Sequence, residues 1–175
     1  MLPSLSDLGI ESGSFIRKLN NHNHWNAYLD ESLDTACHEI ANKIFGIESK
    51  QYSLWQVRTD QEFYGVVAAL TADAHPQNRD INFIWIREAE LEGAGIAITY
   101  IAEGKCIDVK GAHVDAFIGQ KEAENLCRAM LLGNRKAERC KRRVIAAIRE
   151  HQQGLGCKAV VTLPVRCACE GHSIA

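Results

Sequence analysis

The sequence lacks a long apolar run and an export signal. Its longest uncharged apolar stretch, Phe63 to Ala72, is far shorter than the roughly 20 residues that a membrane-spanning helix needs. Met1 to Gly13 has no basic residue ahead of an apolar run, so no signal peptide is predicted. We therefore expect a cytoplasmic protein that has no membrane partner.

An excess of charge of either sign is also lacking. The chain has 20 Lys and Arg residues against 22 Asp and Glu residues, which gives a formal net charge of -2. Attraction to nucleic acid must therefore come from uneven placement of the charges and not from their total. A length of 175 residues with 46% hydrophobic residues is typical of about one globular domain and excludes two large ones.

Recognisable catalytic motifs are missing as well. The sequence has no phosphate-binding glycine loop, no serine elbow and no pair of carboxylates at a telling spacing, so no cofactor is implied. Cys37 and His38 are adjacent and point about 100° apart on a helix, whereas Asp34 and His38 lie one turn apart and can touch. This disfavours a thiol nucleophile paired with a base. An enzyme assembled from scattered residues stays an alternative.

The seven cysteines favour reduced thiols. An odd number leaves one cysteine unpaired in any disulfide framework, and no export signal is predicted. Free cysteine commonly behaves as a small buried hydrophobe. The cysteines within apolar patterns are Cys37, Cys127 and Cys140 in helical patterns and Cys106 in a strand pattern.

The C-terminal end places several metal-capable side chains close together. Cys167, Cys169 and His172, with Cys157 ten residues before Cys167, could supply four zinc ligands. Paired cysteines of common structural zinc sites lie two to four residues apart, a spacing that this set does not reproduce. We predict a tail that binds no metal.

The first 24 residues are rich in Ser, Gly and Asn, and they predict a loose arm, followed by a single domain over residues 25–165 and a tail over 166–175. An amphipathic helix is predicted to begin near Asn26 and to end at Gly46. Its apolar stripe, together with that of a late helix, should be mostly buried. The residues expected there are Leu29, Leu33, Ile40, Ile44, Val144 and Ile148.

Short β-branched and aromatic runs separated by turns follow. They predict strands over residues 52–59, 81–91, 96–102 and 106–109, and residues 63–72 form either a strand or a short helix capped by Asp60. Glycines between the later runs suit tight hairpins, which favours an antiparallel meander. Within the strand 81–86, residues 83–86 are apolar on both faces, as in a covered central strand or an oligomer interface.

Helical periodicity returns after Gly119 and continues to about Gln153, with a break at Gly133-Asn134. Lys158 to Val165 has a further strand pattern. The predicted fold class is α+β: an antiparallel β-meander packed against an N-terminal helix and a C-terminal basic helical pair.

The most uneven charge lies between Arg128 and Arg149. If the helix continues through Gly133-Asn134, Arg128, Arg135, Arg139, Arg142 and Arg149 fall within an arc of roughly 80°. From Arg135 to the residue after Arg149, the carboxylates are Glu138 and Glu150, so few of the guanidinium groups can be neutralised locally. Such a face can bind phosphate oxygens, and the alternative is an ordinary solvated helix face.

Three segments, Asp108–Ala112, Gly119–Asn125 and Arg135–Arg143, resemble the part of phage-type single-strand annealing recombination proteins in which a meander leads into a basic helix. The resemblance covers less than a third of the chain, and Gly133-Asn134 and Cys140 depart from it. It implies that a single-strand backbone is held by Arg135, Lys136, Arg139, Lys141, Arg142 and Arg143.

Single-strand binding often adds aromatic platforms on which bases stack. Trp55, Trp85 and Tyr100 are the candidates on strands, although large aromatic residues are more often part of the core. The leading prediction is a non-enzymatic protein that binds single-stranded nucleic acid or another polyanion. Its alternatives are an enzyme of unrecognised type and an oligomeric interaction module that uses the 81–86 strand. The predicted binding residues are Arg128, Arg135, Lys136, Arg139, Lys141, Arg142, Arg143 and Arg149.

Overall fold

The computed structural model describes residues 2–45, 50–72, 80–100 and 113–155. Within them, the strands are β1 (Ser14–Leu19), β2 (Lys50–Val57), β3 (Ile81–Ile86), β4 (Ile98–Tyr100), β5 (His113–Ile118) and β6 (Glu138–Cys140). The α-helices are α1 (Asn23–Asn26), α2 (Leu33–Ile44), α3 (Asp60–Ala72), α4 (Glu88–Gly93), α5 (Gln120–Leu132) and α6 (Arg142–Gly154). A short 3-10 turn, Ser6–Leu8, precedes β1.

The strands form one six-stranded sheet in the order β4-β5-β2-β1-β3-β6, and each neighbouring pair is antiparallel. β1 lies in the interior of this sheet, where Ser14 pairs with Val57 of β2 and Phe15 pairs with Ile86 of β3. The prediction of a loose N-terminal arm is therefore wrong for residues 14–19. The sequence pattern did not indicate this strand, because a strand buried on both faces does not alternate between apolar and polar residues.

Helices cover both faces of the sheet. The face that we call the α2 side packs against α1, α2, α4 and α5, and its core includes Phe15, Leu54 and Leu126. The opposite face, the α3 side, packs against α3 and α6, and its core includes Phe63 and Ile148. All five of these side chains have an exposed fraction of 0%. The sheet is thus the middle of three layers.

The predicted α+β class is confirmed, but the strand order is not that of a meander. β3 pairs with β1 and β6 rather than with β4. The chain leaves the sheet after Ile86 because a helix begins there: the backbone N–H of Arg87 donates to Glu90 Oε2 at 2.7 Å, which closes the first turn of α4. The sequence predicted instead that the strand would continue to Leu91.

Residues 81–86 are covered within the chain itself. Ile84 and Ile86 belong to the α2-side core, and Phe83 and Trp85 belong to the α3-side core. Their exposed fractions are 6% or less. The central-strand interpretation of this stretch holds, and the alternative of an oligomer interface on its side chains does not.

The helix predictions hold in part. Residues 63–72 belong to helix α3, and its capping hydroxyl is that of Thr59, which accepts a hydrogen bond from the Glu62 N–H at 3.2 Å. The early helix begins at Leu33, with α1 as a separate turn. Among the six residues predicted to be mostly buried, Ile40 and Ile148 are buried. The others, which pack half-buried against the two cores, are Leu29, Leu33, Ile44 and Val144.

Some predictions lie outside the described residues: the strands at 106–109 and 158–165, and the candidate zinc ligands Cys157, Cys167, Cys169 and His172. Over the ranges that are described, side chains of His, Cys, Asp and Glu form no group of three that could hold a metal ion. In the same ranges, the helices are too short or too polar to cross a membrane.

The interior position of β1 leads to a stability prediction. Ile16→Ala should lower the free energy of unfolding by about 2–5 kcal/mol, because it removes a fully buried side chain from the α3-side core. Lys18→Ala, at an exposed position of the same strand, should change it by less than about 0.5 kcal/mol. Urea denaturation followed by circular dichroism measures both, and equal small effects would contradict the placement of β1.

Candidate polyanion-binding surface

The basic stretch does not continue one helix. α5 ends at Leu132, and Asn134 takes a left-handed conformation with a φ of 50°. The Arg135 N–H returns to the Met130 carbonyl at 3.0 Å, as at a typical helix C-terminus. The chain then forms β6 before α6 begins at Arg142. The predicted arc of five arginines assumed an unbroken helix, so it does not exist.

Arg135 is part of the core. Its side chain is 3% exposed and lies over the ring of Trp85, with the guanidinium carbon 3.3 Å from the ring centroid. One terminal nitrogen donates to the Trp85 carbonyl at 2.7 Å and the other to Glu90 Oε1 at 2.9 Å. Burial lowers the pKa of Arg135, and the charge of Glu90 opposes that shift. The prediction that Arg135 belongs to an exposed binding face is therefore wrong.

The backbone around Arg135 is held just as firmly. Its carbonyl accepts a hydrogen bond from Trp25 Nε1 at 2.6 Å. Two residues later, the N–H and carbonyl of Ala137 pair with the side-chain amide of Asn26 at 2.9 and 3.0 Å. The buried contacts of α1 thus fix the segment that leads into β6, and they set where the following cations lie.

Arg128 and Arg149 lie on different layers. Arg128 is on α5, on the α2 side of the sheet, and pairs with Asp34 of α2. That carboxylate raises the pKa of Arg128. Arg149 is half-buried on α6, on the α3 side. These two arginines therefore share no face with each other.

The remaining predicted residues do come together, along β6 and the first turn of α6. We call this set of exposed side chains the β6–α6 basic surface. Its members are Lys136, Arg139, Lys141, Arg142 and Arg143.

Asp80 is the carboxylate at the centre of this surface. Its Oδ2 accepts a hydrogen bond from Arg139 Nε at 2.6 Å, and its Oδ1 accepts one from the backbone N–H of Arg142 at 2.8 Å. The hydrogen bond from the Arg142 backbone, followed by that from Arg139, holds the pKa of Asp80 below its ordinary value. Asp80 therefore caps α6 and is ionised at neutral pH.

One carboxylate does not neutralise the whole set. Among the described residues, Lys136, Lys141 and Arg143 make no ion pair. Lys141 and Arg143 also lie at the N-terminal end of α6, where the helix dipole is already positive and like charge is unfavourable. The surface is thus a site of positive potential that favours an anion.

The aromatic candidates do not accompany these cations. Trp85 is buried beneath Arg135. Trp55 of β2 stacks on His113 of β5 with 5.5 Å between ring centroids, and Tyr100 of β4 is 53% exposed. These strands form the half of the sheet opposite β6. No aromatic platform adjoins the basic surface within the described residues.

For the three cysteines that the structure describes, the geometry does not support a thiol nucleophile. Cys37 and Cys127 are buried, and burial raises the pKa of both thiols. Burial likewise raises the pKa of Cys140 to about 11. The expected neighbours of Cys37 are engaged elsewhere, since His38 Nδ1 contacts Glu124 at 2.8 Å and Asp34 pairs with Arg128.

Comparison with protein-family models, with curated proteins and with solved structures found no match to this chain. The resemblance to annealing proteins therefore stays a prediction. Its first segment, 108–112, lies outside the described residues. Of its third segment, Arg135–Arg143, residues 138–140 form a strand, and a helix begins at Arg142.

The burial of Arg135 generates a second prediction. Arg135→Ala should lower the free energy of unfolding by about 3–5 kcal/mol, because it removes the closer and more deeply buried of the two guanidinium partners of Glu90 and leaves only the longer contact with Arg87. Arg139→Ala breaks an exposed ion pair and should cost less than about 1 kcal/mol. Chemical denaturation compares the two variants. A stable Arg135→Ala protein with weakened anion binding would show that Arg135 is accessible after all.

Proposed function

We propose that this protein binds single-stranded nucleic acid through the β6–α6 basic surface. The observation that carries the proposal is the concentration of five exposed cationic side chains in residues 136–143, where the nearby carboxylates are Asp80 and the half-buried Glu138. The formal net charge of the chain is -2, so the positive potential of this surface comes from the local concentration of these cations. A polyanion is the partner that such a patch recognises best.

The arrangement suits phosphate groups in a row. Arg139 lies on an edge strand and Arg143 follows it in the first turn of α6, so the donors are spread along the sheet edge. Guanidinium groups offer fixed forks of donors that match phosphate oxygens, and lysines add mobile point charges. Binding should therefore depend strongly on salt and little on base sequence.

We favour a single strand over a duplex because the resemblance implies strand annealing, which acts on single strands. An annealing protein holds a strand by its phosphates and leaves the base edges free to pair. The described part of the basic surface has cations and no adjoining aromatic platform, which fits contacts to the backbone alone. Strand annealing in recombination is the activity that we associate with this binding.

Removing two cations tests the proposal. Lys141→Ala/Arg143→Ala should weaken binding of a single-stranded DNA oligonucleotide about 25-fold at 0.1 M salt, because each lost phosphate contact contributes about fivefold there. The slope of log affinity against log salt should become shallower by about 1.4 for the same reason. Fluorescence anisotropy over a salt series measures both quantities for oligonucleotides of different sequence.

Lys121→Ala/Arg128→Ala is the matched control, since it removes the same charge from α5 on the α2 side of the sheet. It should bind with nearly the parent affinity. The proposal is overturned if the parent chain shows no affinity for single-stranded DNA or RNA at low salt, or if both double variants weaken it equally.

Asp80 provides a test of opposite sign. Asp80→Asn keeps an oxygen that can accept the Arg142 N–H but removes the negative charge beside Arg139. Oligonucleotide affinity should therefore rise about two- to fivefold, the size of an exposed ion-pair interaction. Asp34→Asn, which removes the partner of Arg128 on the other layer, should leave it unchanged. Weaker binding by Asp80→Asn would place the strand elsewhere on the molecule.

A further inference from the structure

A second cluster of positive charge lies where β1 leaves the sheet. A recess of about 60 Å³ opens there between the end of β1, α1 and the last turn of α2. A water molecule needs about 10–15 Å³ of such volume, so the recess has room for a group of several heavy atoms. None of the described residues that line it is acidic. The polar residues among them are Arg17, Lys18, Asn20, Asn21, His24 and Lys43.

Arg17 is the unusual member of this cluster. Its guanidinium lies over the ring of Tyr52, 4.9 Å from the centroid, and one terminal nitrogen donates to the Ser53 carbonyl at 3.3 Å. Its Nε is buried and has no hydrogen-bond partner among the described residues. Burial lowers the pKa of Arg17, and no carboxylate acts against that shift.

A half-buried cation without a carboxylate is costly, because desolvation penalises its charge and no ion pair offsets the penalty. Arg135 shows the usual solution in the same chain, since its buried guanidinium is paired with Glu90. The Arg17 guanidinium also requires a compensating negative charge, and it borders a recess that is also lined by Lys43. An anion in the recess would supply the missing charge.

Lys43 is the mobile donor at the rim. Its side chain is 42% exposed, contacts the hydroxyl and ring of Tyr28, and lies 3.8 Å from Glu39. These exposed contacts are weak, so the ammonium group can turn towards an anion at little cost.

The recess and the β6–α6 basic surface lie at the same end of the sheet. Leu19 pairs with Asn82, and Asn82 pairs with Arg139, so one row of residues crosses β1, β3 and β6. Leu19 and Arg139 are therefore separated by two strand spacings, which amount to about 10 Å. Asn82 also contacts His22 at 3.0 Å and the Asn20 carbonyl at 3.3 Å, which ties the wall of the recess to this row. A short run of nucleotides can therefore reach both places.

We infer that the recess binds one phosphate group, and that this phosphate belongs to the backbone of the strand held by the β6–α6 basic surface. The inference rests on the proposed function for the source of the phosphate. Arg17 is the half-buried donor, Lys43 closes over the anion from the rim, and the amides of Asn20 and Asn21 can donate to the remaining oxygens.

The first experiment uses inorganic phosphate and the full chain. In nitrogen–proton correlation spectra, the Arg17 Nε–H signal should shift with phosphate and saturate, whereas chloride at equal ionic strength should leave it in place. Lys43→Ala should weaken this response several-fold, and Lys121→Ala, an exposed lysine of α5, should not. A signal that phosphate does not move overturns the recess as a phosphate site.

The second experiment identifies the source of the phosphate. Lys43→Ala should weaken oligonucleotide binding about fivefold at 0.1 M salt and make the salt slope shallower by about 0.7, as for one lost contact. If Lys141→Ala/Arg143→Ala weakens binding but Lys43→Ala does not, the proposed function stands and the recess lies off the path of the strand. If the chain binds phosphate but no oligonucleotide, the proposed function fails and the recess is a site for free phosphate.

Discussion

The pairing of β1 with β2 and β3 is the constraint on which the rest of the molecule depends. It places Phe15 and Ile16 on opposite faces of one strand, so that each anchors one of the two cores. Because β2 and β3 both pair with β1, α3 must cross from one to the other over the sheet, and helices come to cover both faces. Neither core would close without this strand.

The second organising interaction is that of Arg135 with Trp85 and Glu90. A guanidinium fills the place beside β3 where short β6 does not reach, and it satisfies a carbonyl of that strand. The cost of burying the charge is offset by the carboxylate and by the ring face. Arg135 also fixes the segment of chain that leads into β6, so a contact in the core determines the position of the exposed cations.

The topology brings two clusters of cations to one end of the sheet. The end of β1, the start of β3 and the end of β6 lie side by side, and α6 begins there. Leu19 and Arg139 are far apart in the sequence, and the pairing through Asn82 brings them to about two strand spacings from each other. A chain that is slightly acidic overall thus has two clusters of cations at the same end of its sheet.

Local patterns in the sequence determined the α+β class, the apolar stripes with Ile40 and Ile148, and the solvent exposure of Lys141 and Arg143, because periodicity and runs of charge act over a few residues. They could not reveal that residues 14–19 are an interior strand or that β3 pairs with β1 rather than with β4, since strand pairing joins distant segments. Tertiary structure alone decided that the side chains of Arg135 and Arg17 are wholly or partly removed from solvent. An arginine on a solvated face and one buried beside Glu90 or Tyr52 look alike in a sequence, and the difference lies in which groups desolvate it.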